Sequence, residues 1–69
     1  MSKRFTVKEQ KFINAEWQDN KFKKPYGFET EMGALSYARG LQWLLDDYSR
    51  YVVYETRTNV IIEIVEAKL

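Results

Sequence analysis

Apolar and polar positions alternate with two different periods along this chain. From Thr30 to Tyr48 the period is helical: Ala34, Tyr37, Ala38, Leu41, Leu44, Leu45 and Tyr48 fall on one stripe, with no proline between them. Thr30 offers an N-cap hydroxyl, and Glu31 suits the positive end of the helix. Asp46 and Asp47 are poorly matched to the negative end, so they mark the turn that follows.

Beyond the helix the period drops to two. The segment RYVVYETRTNVIIEIVEAK holds two β-branched and aromatic runs around a polar centre, the pattern of a hairpin. A loop at Arg57-Thr58-Asn59 with Asn59 left-handed pairs Thr56 with Val60. That register sets Tyr54 opposite Ile62, Val52 opposite Ile64 and Arg50 opposite Glu66. The expected core face is then apolar, with a charge pair at its edge.

The N-terminal part predicts a second hairpin, turning at Asp19-Asn20, two residues tolerant of positive φ. Gln18 then pairs with Lys21, Trp17 with Phe22, Ile13 with Tyr26, and Phe12 covers Gly27. Thr6-Val7-Lys8-Glu9 also has the form of a capping box, so residues 7–18 are open to a helical reading. The alternation Ile13, Ala15, Trp17 favours the strand. Phe5 and Val7 belong to a preceding extended segment, with residues 1–10 flexible or an edge extension. The expected fold is a single α+β domain over 1–69, ordered β-β-α-β-β. One helix packs on a mainly antiparallel sheet of about four strands.

Composition narrows the possible functions. A chain of 69 residues has little surface to bury, and without cysteine it has neither disulfides nor thiolate metal sites to supplement its core. Aromatic residues at 16% supply the bulk instead. The lack of histidine as well as cysteine removes the commonest general base and nucleophile pairs. Gly27, Gly33 and Gly40 lack the spacing of a phosphate-cradling loop. Asp46 and Asp47 point about 100° apart on a helix and do not converge on one ion. No catalytic residue, cofactor site or metal site is nominated, and a non-enzyme is expected. No apolar run approaches the span of a bilayer and the N-terminus has no signal-peptide core, so the cytoplasm is the default compartment.

Charge is uneven although the net is +1. Residues 1–24 carry seven cations (Lys3, Arg4, Lys8, Lys11, Lys21, Lys23, Lys24) against three acids, a local excess of +4. These seven are the candidate contacts for a nucleic acid, the alternative function. The pI of about 7.9 is below that of a typical nucleic-acid-binding domain.

Within that basic stretch, Lys24-Pro25-Tyr26-Gly27-Phe28 resembles the aromatic motif of RNA-recognition-motif domains, whose alternate aromatics stack bases. The resemblance covers about eight positions. It departs at Pro25, where the family has glycine, and at Glu29, where it has an apolar residue. The 21 residues upstream cannot hold the β-α-β unit that the family places there. Phe22, Lys24, Tyr26 and Phe28 share a strand face with Ile13 and Trp17, so these aromatics are expected to be core beneath the helix.

Two surfaces are more apolar than an isolated domain needs. The reverse face of the C-terminal hairpin carries Tyr51, Val53, Ile61 and Val65. The outer side of the helix carries Gly33, Ser36, Gly40 and Trp43, small residues topped by an aromatic anchor. Trp43, Gly40, Ser36, Tyr51, Val53, Ile61 and Val65 are therefore the candidate protein interface, with the sheet face favoured for a homodimer. The leading expectation is a small inhibitor or adaptor that binds another protein stoichiometrically. Such a chain resembles the accessory products of phages and other mobile elements.

Overall fold

The computed structural model describes residues 3–68. Five strands and one helix follow in the order β1 (Phe5–Ile13), β2 (Glu16–Asp19), β3 (Tyr26–Phe28), α1 (Glu31–Gly40), β4 (Ser49–Glu55) and β5 (Ile61–Glu66), with a short 3-10 turn at Gln42–Leu44. The fold is α+β, with one helix on an antiparallel sheet. The sheet runs β2-β1-β4-β5, and β3 also pairs with β1.

The N-terminal segment is the organising strand. One edge of β1 pairs with β3 through Phe5–Val7 and with β2 through Gln10–Ile13, while its other edge pairs with β4 from Phe5 to Lys11. Phe5–Gln10 are thus neither an edge extension nor a flexible tail; Met1 and Ser2 lie outside the described residues. Residues 7–18 are not helical either. Phe5 and Val7, two residues apart, are buried in the core under the helix, while Thr6 between them is buried on the opposite side, where its hydroxyl meets that of Thr56.

The first hairpin turns earlier than its polar residues suggest. Asn14 and Ala15 take φ of 54° and 65°, the left-handed pair of a two-residue turn, so Phe12 faces Trp17 and Ile13 faces Glu16. Asn20 still breaks the strand, but by redirecting the chain. Its side-chain oxygen accepts from the Phe22 amide at 3.0 Å, and its own amide donates to the Glu9 carbonyl at 2.9 Å. The expected pairs Gln18–Lys21, Trp17–Phe22 and Ile13–Tyr26 therefore do not form. Phe22 is 99% exposed and Tyr26 59%, and only Phe28 of that trio packs against the core.

The second hairpin keeps most of its expected register. Arg50 faces Glu66 and Val52 faces Ile64, Asn59 is left-handed at φ 62°, and a shift at Val53/Tyr54 then brings Tyr54 opposite Ile61 rather than Ile62.

The helix begins where its sequence indicates, with the Gly33 amide donating to Thr30 Oγ1 at 3.1 Å. It ends at Gly40, so Leu44 and Tyr48 leave the apolar stripe and are exposed. Ala34 and Ala38 are completely buried, because only a methyl fits where the helix lies closest to the sheet. Beneath them are Phe5, Val7, Tyr51, Val53 and Val65, the core cluster.

This inverts the expected faces. The helix covers the side with Tyr51, Val53 and Val65, and the side with Arg50, Val52 and Tyr54 is left open. Glu63 looks out of place on a covered face, yet it sits at the margin, where Arg39 of the helix meets it at 2.7 Å. Arg50 and Lys8, central to the other face, have no such partner on a helix and remain toward water.

Candidate functional site

The open face of the sheet can be followed row by row. Phe12 of β1 and Trp17 of β2 form an aromatic end, their ring centroids 5.2 Å apart and edge to face. Next comes a polar row in which Asp19, Gln10, Arg50 and Glu66 are neighbours on successive strands. Lys8, Val52 and Ile64 form the third row, and Thr6, Tyr54 and Ile61 the fourth.

The polar row is hydrogen-bonded along much of its length. Gln10 Nε2 donates to Asp19 Oδ1 at 3.0 Å, and Arg50 Nε donates to Gln10 Oε1 at 2.8 Å. The Arg50 guanidinium then lies over the Trp17 ring, 4.2 Å from its centroid. Although β-sheet register makes Arg50 and Glu66 neighbours, Arg50 turns toward Gln10 and Trp17. Lys8 Nζ approaches Asp19 at 3.1 Å and also lies 5.1 Å from the Tyr54 ring centroid. The Gln10 bond holds the Asp19 carboxyl below its ordinary value; burial opposes it, and the bond and charge of Lys8 add to the lowering.

These side chains lie flat over the sheet. Val52 is 1% exposed although no helix covers it. Around it is a shallow depression of about 160 Å³ bordered by Lys8, Tyr54 and Ile61. Two cations, Lys8 and Arg50, are offset by two acids, Asp19 and Glu66, so the face is close to electrically neutral. The face combines paired aromatic rings, a hydrogen-bonded guanidinium and aliphatic ground between them.

The residues expected at an interface divide between several places. Tyr51, Val53 and Val65 are buried under the helix and cannot contact a partner, which removes the homodimer surface built on them. Ile61 is exposed and belongs to the open face. Ser36 and Gly40 are exposed on the outside of α1, and Trp43 in the 3-10 turn is 77% exposed, so these three stay on the surface but on the far side from Ile61.

The seven basic residues do not form one stripe. Lys8 is on the open face, whereas Lys11 and Lys23 reach Glu9 at 3.7 and 3.4 Å on the helix side. Lys3 and Arg4 border a depression with Glu55 and Arg57 at the end of the sheet. Lys21 and Lys24 are exposed in the segment between β2 and β3. Trp17, Phe12, Arg50 and Tyr54 escape notice in the sequence as a surface group. The available signal was Asn14, the residue type best suited to open a left-handed turn, which fixes Trp17 opposite Phe12.

No protein-family model, curated protein or solved structure matches this chain. No helix among the described residues is long and apolar enough to cross a membrane.

Proposed function

We propose that this chain is a non-enzymatic, cytoplasmic binding module that docks another protein on the open face of its sheet and acts by stoichiometric occlusion, in the manner of small phage or mobile-element accessory factors. The observation that carries this reading is the Trp17 ring, held between Arg50 and Phe12 on a nearly neutral face. Tryptophan, tyrosine and arginine dominate binding energy at protein interfaces. Side chains already fixed by their neighbours lose little freedom on docking. A nucleic acid would favour uncompensated cations along one track, since phosphate contacts supply most of its affinity. Here the cations are dispersed, and Lys8, Lys11 and Lys23 face carboxylates of the chain itself.

Site-specific photocrosslinking in cells tests the reading. A benzophenone side chain at Ile64 on the open face is expected to give a discrete protein adduct, and the same group at Trp43 none. Trp17→Ala should weaken the Ile64 adduct about thirtyfold or more, the loss typical of a binding hot spot. Adducts from position 43 alone, or adducts to nucleic acid, would overturn the assignment.

A further inference from the structure

A second concavity lies on the helix side, remote from Trp17. It exists because the sheet is interrupted: β2 and β3 both pair with β1 but neither reaches Lys8 or Glu9, where the Asn20 amide on the Glu9 carbonyl takes the place of a strand. The intervening segment, 20–25, is tied to Glu9 by Asn20 and Lys23 without forming a strand, and it borders a cleft of about 320 Å³, within the size range of small-ligand sites.

The lining is built in three levels. Val7, Tyr51 and Glu9 form a buried floor. Tyr37 and Leu41, from the end of the helix, form the wall. Tyr37 is fixed by tilted contacts with Tyr26 and Phe28 at 5.2 and 5.1 Å. Tyr26, Leu44, Lys23 and Lys24 make the rim. The Tyr37 and Tyr51 hydroxyls are donors at neutral pH, as any tyrosine is, and burial raises both further from neutrality.

Charge decides what fits. The Glu9 carboxylate, 6% accessible, accepts from Asn20 Nδ2 at 2.7 Å and faces Lys23 and Lys11, so its demand is met inside the molecule. Lys24 lines the same cleft and forms no ion pair among the described residues. Lys11 is not part of the lining, so among the charged groups that face the cleft Glu9 offsets Lys23 and Lys24 is left over, a surplus that suits a single negative charge. A dianion would be repelled by Glu9 below it, and a cation would have to displace Lys23 while facing Lys24.

We propose that this cleft binds a monoanionic ligand joining an apolar body to a carboxylate, the carboxylate at Lys24 and the body against Leu41, Leu44 and the tyrosine rings. Such chemistry is offered by a free aromatic acid or by the C-terminal residue of a peptide.

Amide NMR titrations of the intact chain test it, using phenylpropionate, its neutral amide and phenylpropylamine. The acid should shift the amides of Glu9, Tyr37 and Leu41 saturably at millimolar concentration, and the neutral amide should bind about tenfold more weakly, the share of one charge-assisted bond. Lys24→Met should weaken the acid by a similar factor, leave the neutral amide unaffected, and keep the thermal midpoint, because Lys24 is exposed. The tripeptide Gly-Gly-Phe, compared with its C-terminal amide, separates the sources. Tighter binding of the tripeptide than of phenylpropionate assigns the site to chain ends, and the reverse to free acids. No saturable shift with any probe, equal affinity for acid and amide, or preference for the amine would overturn the proposal. None of these results bears on the open face, whose crosslinks are read separately.

Discussion

The two faces of this sheet are made from adjacent residues of the same strands, yet they are held by different forces. Val53 is completely buried under α1, in a layer with Val7, Tyr51 and Val65 that excludes water. Val52, one residue earlier, is also buried, but by its own neighbours: Lys8, Arg50 and Tyr54 lie across it, still reachable by solvent. The covered face is closed by another element of structure. The open face is closed by side chains that a partner could contact directly. Equal burial of two valines therefore does not mean equal commitment to the core, and the distinction can be measured.

The largest expected difference comes from placing a hydroxyl at each position. Val53→Thr keeps the shape but puts an oxygen where no polar group awaits it, at a cost of about 2 kcal/mol. Val52→Thr sets the same oxygen beside Lys8 and Arg50 and near water, and should cost under about 1 kcal/mol. Chemical denaturation of both variants checks this. Equal losses would mean that the open face is as dry as the covered one, and would count against its role as a docking surface.

A second contrast appears at alkaline pH and belongs to the covered face. Burial, reinforced by the nearby Glu9 carboxylate and opposed by Lys23, raises the Tyr51 hydroxyl above its ordinary value, and burial raises Tyr37 as well. A group whose native value is raised contributes stability that is fully present below its unfolded value, about pH 10, and is lost as pH rises through the native one. The thermal midpoint should therefore fall more steeply above about pH 10 for the wild type than for Tyr51→Phe. Parallel curves would show that the hydroxyl is already solvated.

How far these faces could be foreseen depends on which residues carried unique information. Thr30 marked the helix start and Asn59 the second turn, each by a local rule of backbone geometry, but Glu55 rather than Thr56 meets Val60, and the bulge at Val53/Tyr54 is what brings Arg50–Glu66 and Val52–Ile64 back to the expected pairs. The choice of face was not legible. Period-two alternation separates two sides of a strand without saying which one meets the helix, and β4 has apolar residues on both. What decided it was pairing at a distance. Arg39 could satisfy Glu63 across the helix–sheet boundary, and Ala34 and Ala38 let the helix settle over Val53. The first hairpin was misread for a related reason. Asn14-Ala15 is a weaker turn signal than Asp19-Asn20, but it is the turn that leaves Phe5–Val7 free to pair with β3 and β4. The open-face site depended on both choices, so it emerged only with the fold.

The smallest expected effect lies at the acid end and belongs to the open face. Asp19 is held below its ordinary value chiefly by the Gln10 hydrogen bond and then by Lys8. A carboxyl with a depressed native value contributes stability present above its unfolded value, about pH 4, and lost as pH falls through the native one. Asp19→Asn should thus be slightly less stable than the wild type at neutral pH, with the two converging in strong acid. Asp46, also lowered by its bonds from Tyr48 and Ser49, titrates in both proteins and cancels from the comparison. The difference should be small, because the Asp19 side chain is 60% accessible and exposed ion pairs contribute little. That weakness is the point of the measurement. A network of minor energetic weight can be retained for positioning Arg50 over Trp17, whereas a loss comparable to Val53→Thr would make the polar row part of the scaffold, and would remove the reason to regard it as a surface poised for a partner.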